Sequence, residues 1–350
     1  MRKRLLILYT GGTFGMQPSP KNPQAPLDLP DLSPDSLKRR ILARVPEIEE
    51  LARCEVEVAF NRDSAHLGPE DWVEMARRIQ ARAKTHDGVV VLHGTDTLSY
   101  TASALSFLLR PCPIPVVLTG AQRPLAGIRS DARRNLISAV EIAAHGPRPL
   151  VNQVSVFFND HLYQGNRTRK RSASDFHAFE SPKLPPLGVV GTSIRYLEAG
   201  KRPKLSRVAL KPKFSRRVAT LHVTPGFPAG VLAERLLPGI EGLVLVIFPS
   251  GTAPTNDPDL KRLLREAKSR DVPVVAVTEG SSEPPNGALK EMPRYSAGQL
   301  LRDEGVHFAG DMTVECASIK TSLILGQPDG ALRFSKYWKE NLAWEGSSLK

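Results

Sequence analysis

Five hydroxyl-bearing residues, Thr10, Thr13, Ser64, Thr95 and Thr97, fall at the ends of predicted strands, and the carboxylate of Asp96 lies between the last two. A threonine oxygen becomes a nucleophile near neutral pH only when a partner takes its proton. Asp96 is one candidate for that partner. A buried lysine, whose desolvation favours the neutral, basic form, is another. Gly94 lets the backbone come close to a ligand. Asp and Thr are also ordinary helix starters, so residues 95–97 can cap a helix, act chemically, or do both. His93 precedes the same loop and reads more readily as a hydrogen-bonded core residue than as a base. Other chemistries lack their signatures: the chain has no HExxH, no Cys/His metal spacing, no GxSxG elbow, no GxGxxG and no GK[ST] phosphate loop.

These residues are organised around GVVVLHGTDTLSYTASALSFLL at 88–109. Val89–Leu92 is an unbroken apolar run, the pattern of a strand buried on both faces of a parallel sheet. From Ser99 the apolar residues recur at helical spacing until Pro111 stops the run. Thr95 and Asp96 thus stand at the carboxyl end of a strand, where open α/β sheets place their ligands. Leu5–Tyr9 predicts a first strand, with Thr10-Gly11-Gly12-Thr13 turning behind it. Residues 16–34 hold six prolines and read as a lid or a surface loop. Predicted helices at 36–44, 69–84 and 130–144 then alternate with strands at 54–60, 114–119 and 151–158. Asn159-Asp160 marks a turn. The second half repeats the rhythm, with strands at 218–223, 243–248 and 272–278 and helices near 228–237, 257–270, 296–304 and 312–325. Alternation of this kind predicts an α/β fold built from parallel sheets. The expected division is an N-terminal domain over 1–186, a basic, Pro-containing linker over 187–217 and a C-terminal domain over 218–350. The second domain holds no obvious catalytic cluster. Its turns at Gly251-Thr252 and Glu279-Gly280-Ser281 are the candidates for contributing to a shared site.

Composition narrows the function classes. The 350 residues are 41% hydrophobic, enough for a sizeable core, and no apolar stretch is long enough to cross a bilayer. Met-Arg-Lys-Arg before Leu5–Tyr9 mimics a signal peptide, but the apolar segment is too short and runs straight into Thr-Gly-Gly-Thr. Cys54, Cys112 and Cys316 are odd in number and far apart, as expected for reduced thiols in a cytoplasmic protein. The net charge of +12 is concentrated: residues 201–217 carry eight Lys or Arg and no acid. Without aromatic interleaving or a nucleic-acid motif, this charge reads as a solvated connector, and no nucleic-acid partner is expected.

TGGTFGM at 10–16, DS at 63–64, HGTDTLSYTASALSFLL at 93–109, LTGAQRP at 118–124, LYQGNRTRK at 162–170 and DMTVE at 311–315 together resemble the bacterial type I asparaginases. The resemblance runs in order along most of the chain, and the paired TGGT and HGTDT signatures are highly specific. It implies a larger, flavodoxin-like N-terminal domain with a parallel sheet and a smaller α/β C-terminal domain. It also implies no metal or other cofactor, a homodimer or dimer of dimers, and hydrolysis of L-asparagine to L-aspartate and ammonia. Matched by motif, Thr13 is the nucleophile, while Thr95, Asp96 and Lys170 manage protons. Asp96 also meets the substrate α-ammonium; Asp63 and Ser64 meet the α-carboxylate; Gly94 belongs to the binding loop. Attack by Thr13 Oγ1 on the carboxamide would create an oxyanion, which backbone N–H groups of the 94–96 turn could hold. A proton from Lys170 through Thr95 would release ammonia, leaving a β-aspartyl ester for water to resolve.

Three positions depart from the family pattern. Residues 14–34 contain no tyrosine where the family's lid carries one, the nearest being Tyr9. Ala65 stands where Ser or Gln is common, and His66 where an acid is common. Two other readings share the motifs. The amidase subunit of a tRNA-dependent amidotransferase is disfavoured by a first strand at residue 5, which leaves no room for that subunit's additional N-terminal domain. A non-catalytic amino-acid-binding protein would not need Thr13, Thr95, Asp96 and Lys170 together.

Overall fold

The computed structural model describes residues 2–17, 27, 29, 33–148, 150–197, 203–279 and 296–346. Most of the Pro-rich stretch over 16–34 lies outside these residues, as do Gly280 and Ser281. The chain forms two compact units, Met1–Ser181 with Pro185–Lys201, and Pro182–Leu184 with Arg202–Lys350. No described helix is long and apolar enough to cross a membrane.

In the first unit, the aliphatic runs predicted as buried strands form the centre of a sheet. β1 (Arg4–Gly11), β2 (Arg53–Arg62), β3 (Gly88–Leu92), β4 (Val116–Thr119) and β5 (Val154–Phe158) run parallel in the order β2-β1-β3-β4-β5. This is the flavodoxin-like order, which reverses between β1 and β3. Every residue of Leu5–Tyr9 and Val89–Leu92 is fully buried. Successive side chains point to opposite faces, so both faces must be covered. On one face, Leu5, Ile7, Val90 and Leu92 belong to the same core as Ile41 of the helix Pro34–Arg44 and Leu136 and Val140 of the helix Ala132–His145. The helix Leu98–Leu108 packs on β4 and β5 and against the helix Pro69–Arg82.

β6 (His161–Gln164) returns antiparallel to β5 through Asn159 and Asp160, whose φ angles of +41° and +72° make the two-residue turn that suits a twisted hairpin. β7 (Arg169–Lys170) and β8 (Phe179–Glu180) form a separate antiparallel ribbon. β9 (Gly188–Val190) and β10 (Ile194–Tyr196) then extend the large sheet beyond β6. These last two strands occupy part of the segment expected as a linker over 187–217. Their short, unpatterned sequences give no period from which strands can be read; pairing with β6 creates them.

The second unit carries β11 (Val218–His222), β12 (Gly242–Ile247), β13 (Val274–Thr278) and β14 (His307–Phe308) in that order, all parallel. Leu243, Leu245 and Ile247 share a core with Leu260, Leu263 and Leu264 of the helix Pro258–Ser269. The helix expected over 228–237 is instead three short, differently wound turns, Ala229–Val231, Leu232–Leu236 and Leu237–Gly239. Pro238 supplies no N–H to continue a regular ladder there.

One buried ion pair ties down the carboxyl-terminal segment of this unit. Lys320 Nζ, on the helix Val314–Leu325, donates to Glu345 Oε1 at 2.6 Å and to the carbonyls of Trp338 and Glu340 at 2.8 and 2.9 Å, with both charged side chains fully buried. Burial alone would raise the Glu345 pKa. The Lys320 charge and the hydrogen bonds from Lys320 and from the Ala343 and Leu342 N–H groups outweigh it and hold the carboxyl below its usual range. A depressed folded-state pKa contributes stability above the unfolded value of about 4.3 and loses it as pH falls through the folded value. Glu345→Gln, which leaves Lys320 buried without its counter-charge, is expected to lower unfolding free energy by ~3–5 kcal/mol at neutral pH. It should also flatten the acid limb of stability against pH. Denaturant melts of wild type and variant between pH 3 and pH 7 check both, and equal stability at pH 7 would contradict the assignment.

Candidate active site

The strand register brings the motifs to one level. Tyr9 pairs with Leu92, so the TGGT turn leaves β1 beside the HGTDT turn leaving β3, at the point where the strand order reverses. The Thr10 hydroxyl donates to the Leu92 carbonyl at 3.0 Å, fully buried; Thr10 therefore ties the strands and faces no ligand. Gly11 and Gly12 take φ angles of +112° and +78°, a backbone conformation that side chains resist. The turn they make brings Gly12 against Gly94: a Cβ on Gly12 would lie 2.3 Å from Gly94 Cα. Thr13 follows directly, half-buried, and no described residue hydrogen-bonds its hydroxyl.

Gly94 is crowded from a second side. A Cβ there would lie 2.6 Å from Ser64 Oγ, and Ser64 is itself 1% exposed. Ser64 belongs to a tight turn after β2. In it Asp63 Oδ1 accepts from the Ala65 N–H at 2.9 Å, the Asp63 carbonyl from the His66 N–H at 3.0 Å, and the Ser64 carbonyl from the Thr97 hydroxyl at 2.7 Å. Three segments distant in sequence thus meet: the backbone of Gly12 abuts that of Gly94, the Gly12 N–H donates to the Arg62 carbonyl at 3.1 Å, and the side chain of Ser64 closes on Gly94 from the other side.

Lys170 arrives from elsewhere in the unit. The segment Gly165–Arg167 packs on the helix Leu98–Leu108, and β7 and β8 then carry Lys170 back to its start, with Arg169 Nε donating to Glu180 Oε1 across the ribbon at 2.9 Å. Lys170 Nζ donates to Thr95 Oγ1 at 2.8 Å and to Asp96 Oδ1 at 2.7 Å. The Lys170 side chain is 18% exposed and that of Asp96 66%, so the lysine is withdrawn while the carboxylate keeps a free side. Thr95 is buried. No described residue accepts a hydrogen bond from the backbone N–H of Thr95 or Asp96, which leaves these donors for a ligand.

The residues singled out from the sequence are therefore linked as Lys170–Thr95–Asp96 by side chains, and as Thr13–Gly94–Ser64–Asp63 by chain neighbours, the Gly12–Gly94 backbone contact and the Ser64 side chain on Gly94. Supporting residues emerge only in three dimensions. Gln122, inside the LTGAQRP segment, donates through Nε2 to the Asp175 carbonyl at 3.0 Å and so holds the loop between β7 and β8. Its own N–H is held by Asp131 Oδ2 at 2.9 Å. His93, Thr101 and Trp72 form a buried chain beneath Gly94. In the second unit, Gly251 and Thr252 lie in the turn after β12, where the Thr252 carbonyl accepts from the Phe248 N–H at 3.1 Å.

Gly94→Ala is expected to destabilise the protein by ~1–3 kcal/mol, the range for overpacking a tight interior. Ser64→Gly in the same chain removes the group that the new methyl meets and should return most of that loss. Urea denaturation of the two single variants and the double variant measures the coupling. A Gly94→Ala variant as stable as wild type would contradict the described junction.

Comparison with known proteins follows the same division of the chain. Residues 4–202 match the family model described as Asparaginase, N-terminal, and residues 217–337 match the Glutaminase/Asparaginase C-terminal domain. L-asparaginase 1 of Escherichia coli is 37% identical over 348 residues, covering 98% of each chain. The solved thermostable L-asparaginase of Thermococcus kodakarensis superposes with a TM-score of 0.83 at 31% identity, covering 99% of each chain. L-asparaginase I of Vibrio cholerae gives a TM-score of 0.81 at 32% identity, covering 99% of this chain and all of that one. Motif order, sheet order and these likenesses agree, and the chain belongs to the asparaginase family.

Proposed function

We propose that this protein hydrolyses L-asparagine to L-aspartate and ammonia with Thr13 as nucleophile. The observation that carries the reading is the Lys170–Thr95–Asp96 cluster, hydrogen-bonded at 2.8 and 2.7 Å, on a loop whose Gly94 abuts the residue preceding Thr13. Family membership supports the choice of an amide substrate.

The steps follow from the groups present. Thr13 Oγ1 attacks the side-chain carboxamide carbon of asparagine. A C–O bond forms, the carbonyl π pair moves onto oxygen, and the Thr13 proton passes to the Thr95–Asp96–Lys170 group. Backbone N–H groups of the 94–96 turn face the oxyanion. The C–N bond then breaks, and the Thr95 hydroxyl protonates the departing nitrogen while Lys170 Nζ, already donating to Thr95 Oγ1, replaces that proton. Ammonia leaves, and a β-aspartyl ester stays on Thr13. Water resolves it along the reverse proton route.

Asp96, open on one side, suits the substrate α-ammonium as a charge-assisted acceptor. Ser64 and the backbone of Asp63–Ser64 suit the α-carboxylate. The free carboxylate and ammonium together define a free amino acid, not a peptide-linked residue, as substrate. We extend the reading to a cytoplasmic homodimer or dimer of dimers, supported by family membership and by three cysteines that are free thiols.

Ammonia release from purified protein given L-asparagine, without a partner subunit or tRNA, tests the reading and separates it from the amidotransferase and binding-protein alternatives. Thr13→Ala and Thr95→Val should each abolish nearly all release while costing only about 1–2 kcal/mol of stability, because both hydroxyls sit on turns. Lys170→Arg should lose kcat with the fold intact, since a guanidinium does not give up its proton. Normal turnover in Thr13→Ala overturns the nucleophile, and normal turnover in Lys170→Arg reduces the lysine to a structural ion-pair partner.

A further inference from the structure

His93 is the one fully buried imidazole among the described residues that touches the site loop, and none of the steps above uses it. Its two nitrogens are both engaged. Nδ1 lies 2.7 Å from the carbonyl oxygen of Gly94, and Nε2 lies 2.9 Å from Thr101 Oγ1. Thr101 Oγ1 in turn receives the indole N–H of Trp72 at 3.0 Å. The direction of this chain is dictated at both ends. An indole N–H can only donate and a carbonyl oxygen can only accept. Thr101 therefore accepts from Trp72 and turns its own proton to Nε2, which leaves Nδ1 carrying the imidazole proton and donating to Gly94. Trp72 is 7% exposed, and Thr101 and His93 are fully buried. No water competes for these bonds, and burial pushes the imidazole down to about 4, so it stays neutral at ordinary pH.

We infer that His93 is a positioning residue: as the neutral Nδ1–H tautomer it grips the Gly94 carbonyl and thereby sets the Gly94–Thr95 peptide plane for catalysis. The inference rests on the reading of function given above. The peptide is trans, so its N–H points away from its C=O. Holding the carbonyl down toward His93 aims the Thr95 N–H, unpaired among the described residues, to the opposite side. The same plane fixes where Thr95 begins, and so where its hydroxyl meets Lys170. A Cβ on Gly12 would lie 2.3 Å from Gly94 Cα and 2.5 Å from Gly94 N, so the turn that carries Thr13 rests on the same residue that His93 holds. One buried ring thereby supports both threonines without touching substrate. The device reaches back to the helix Pro69–Arg82, which supplies Trp72, and to the helix Leu98–Leu108, which supplies Thr101.

Two substitutions separate this role from simple core filling. The amide nitrogen of asparagine falls where Nδ1 lies and can still donate to Gly94; that of glutamine falls where Nε2 lies and cannot. His93→Gln is expected to lower kcat about 100-fold, the scale of a roughly ångström-sized misplacement, with KM within about threefold of wild type. His93→Asn should keep kcat within about tenfold of wild type, although it fills the space less well. Thr101→Val, which keeps the volume but removes the proton aimed at Nε2, should lower kcat about tenfold and provides the test if a His93 variant does not fold. Equal kcat in His93→Gln and His93→Asn, or wild-type kcat in Thr101→Val, overturns the inference. A wild type that releases no ammonia from L-asparagine counts against the function instead. In that event nitrogen-15 NMR of the histidine side chains still decides: Nδ1 protonated and Nε2 bare upholds the inference, and the reverse tautomer overturns it.

Discussion

Gly94 lacks a side chain at the place where two other loops leave no room for one. A Cβ there would meet Ser64 Oγ at 2.6 Å, and a Cβ on Gly12 would meet Gly94 Cα at 2.3 Å. Interiors packed to crystal-like density do not yield freely to such contacts. The turns carrying Thr13, Ser64 and Thr95 are therefore held at fixed separation, Gly12 against Gly94 by backbone and Ser64 against Gly94 by its short side chain. The positive φ of Gly11 and Gly12, the parallel register of β1 on β3, and the hydroxyl of Thr97 on the Ser64 carbonyl all serve this junction. Contact this close is a stiff support, and the proposed threonine nucleophile, unreactive unless well placed, needs that stiffness.

Around the junction, charge is arranged by depth. Lys170 is withdrawn and donates to Thr95, whereas Asp96, on the same ammonium, stays largely open. In the proposed reaction a single lysine–carboxylate pair has two tasks: the outer carboxylate receives a ligand's ammonium, and the inner ammonium feeds a proton to the neighbouring Thr95 hydroxyl. Gln122 and the Arg169–Glu180 pair hold the ribbon that makes this reach possible, at a distance from the chemistry.

What could be read from residues alone divides along physical lines. Val89–Leu92, Leu5–Tyr9 and the helix after Ser99 were legible because apolar runs and helical spacing are local signals. Thr13, Thr95 and Asp96 stood out because hydroxyls and a carboxylate at strand ends break that pattern. Lys170 came from the motif resemblance; no local feature of GNRTRK says which of its basic residues reaches Thr95 and Asp96, since a ribbon and a helix packing decide that. Trp72 and Thr101 carried no sign of their role, because a hydrogen-bond chain spanning residues 72, 101 and 93 exists only once two helices meet. Strands β9 and β10 stayed hidden in the basic, Pro-containing stretch because their partner β6 defines them. The winding of 232–236 likewise follows from packing and from Pro238, not from period.

The central claim is covalent: the acyl group of asparagine passes through an ester on Thr13. Acid quenching of the wild-type enzyme during turnover of L-asparagine, followed by proteolysis and mass spectrometry, reads this directly. An aspartyl adduct on the peptide containing Thr13, lost on longer incubation once the asparagine is exhausted, is the predicted result. An adduct confined to Thr95, or to any residue outside the 10–13 turn, would contradict the account.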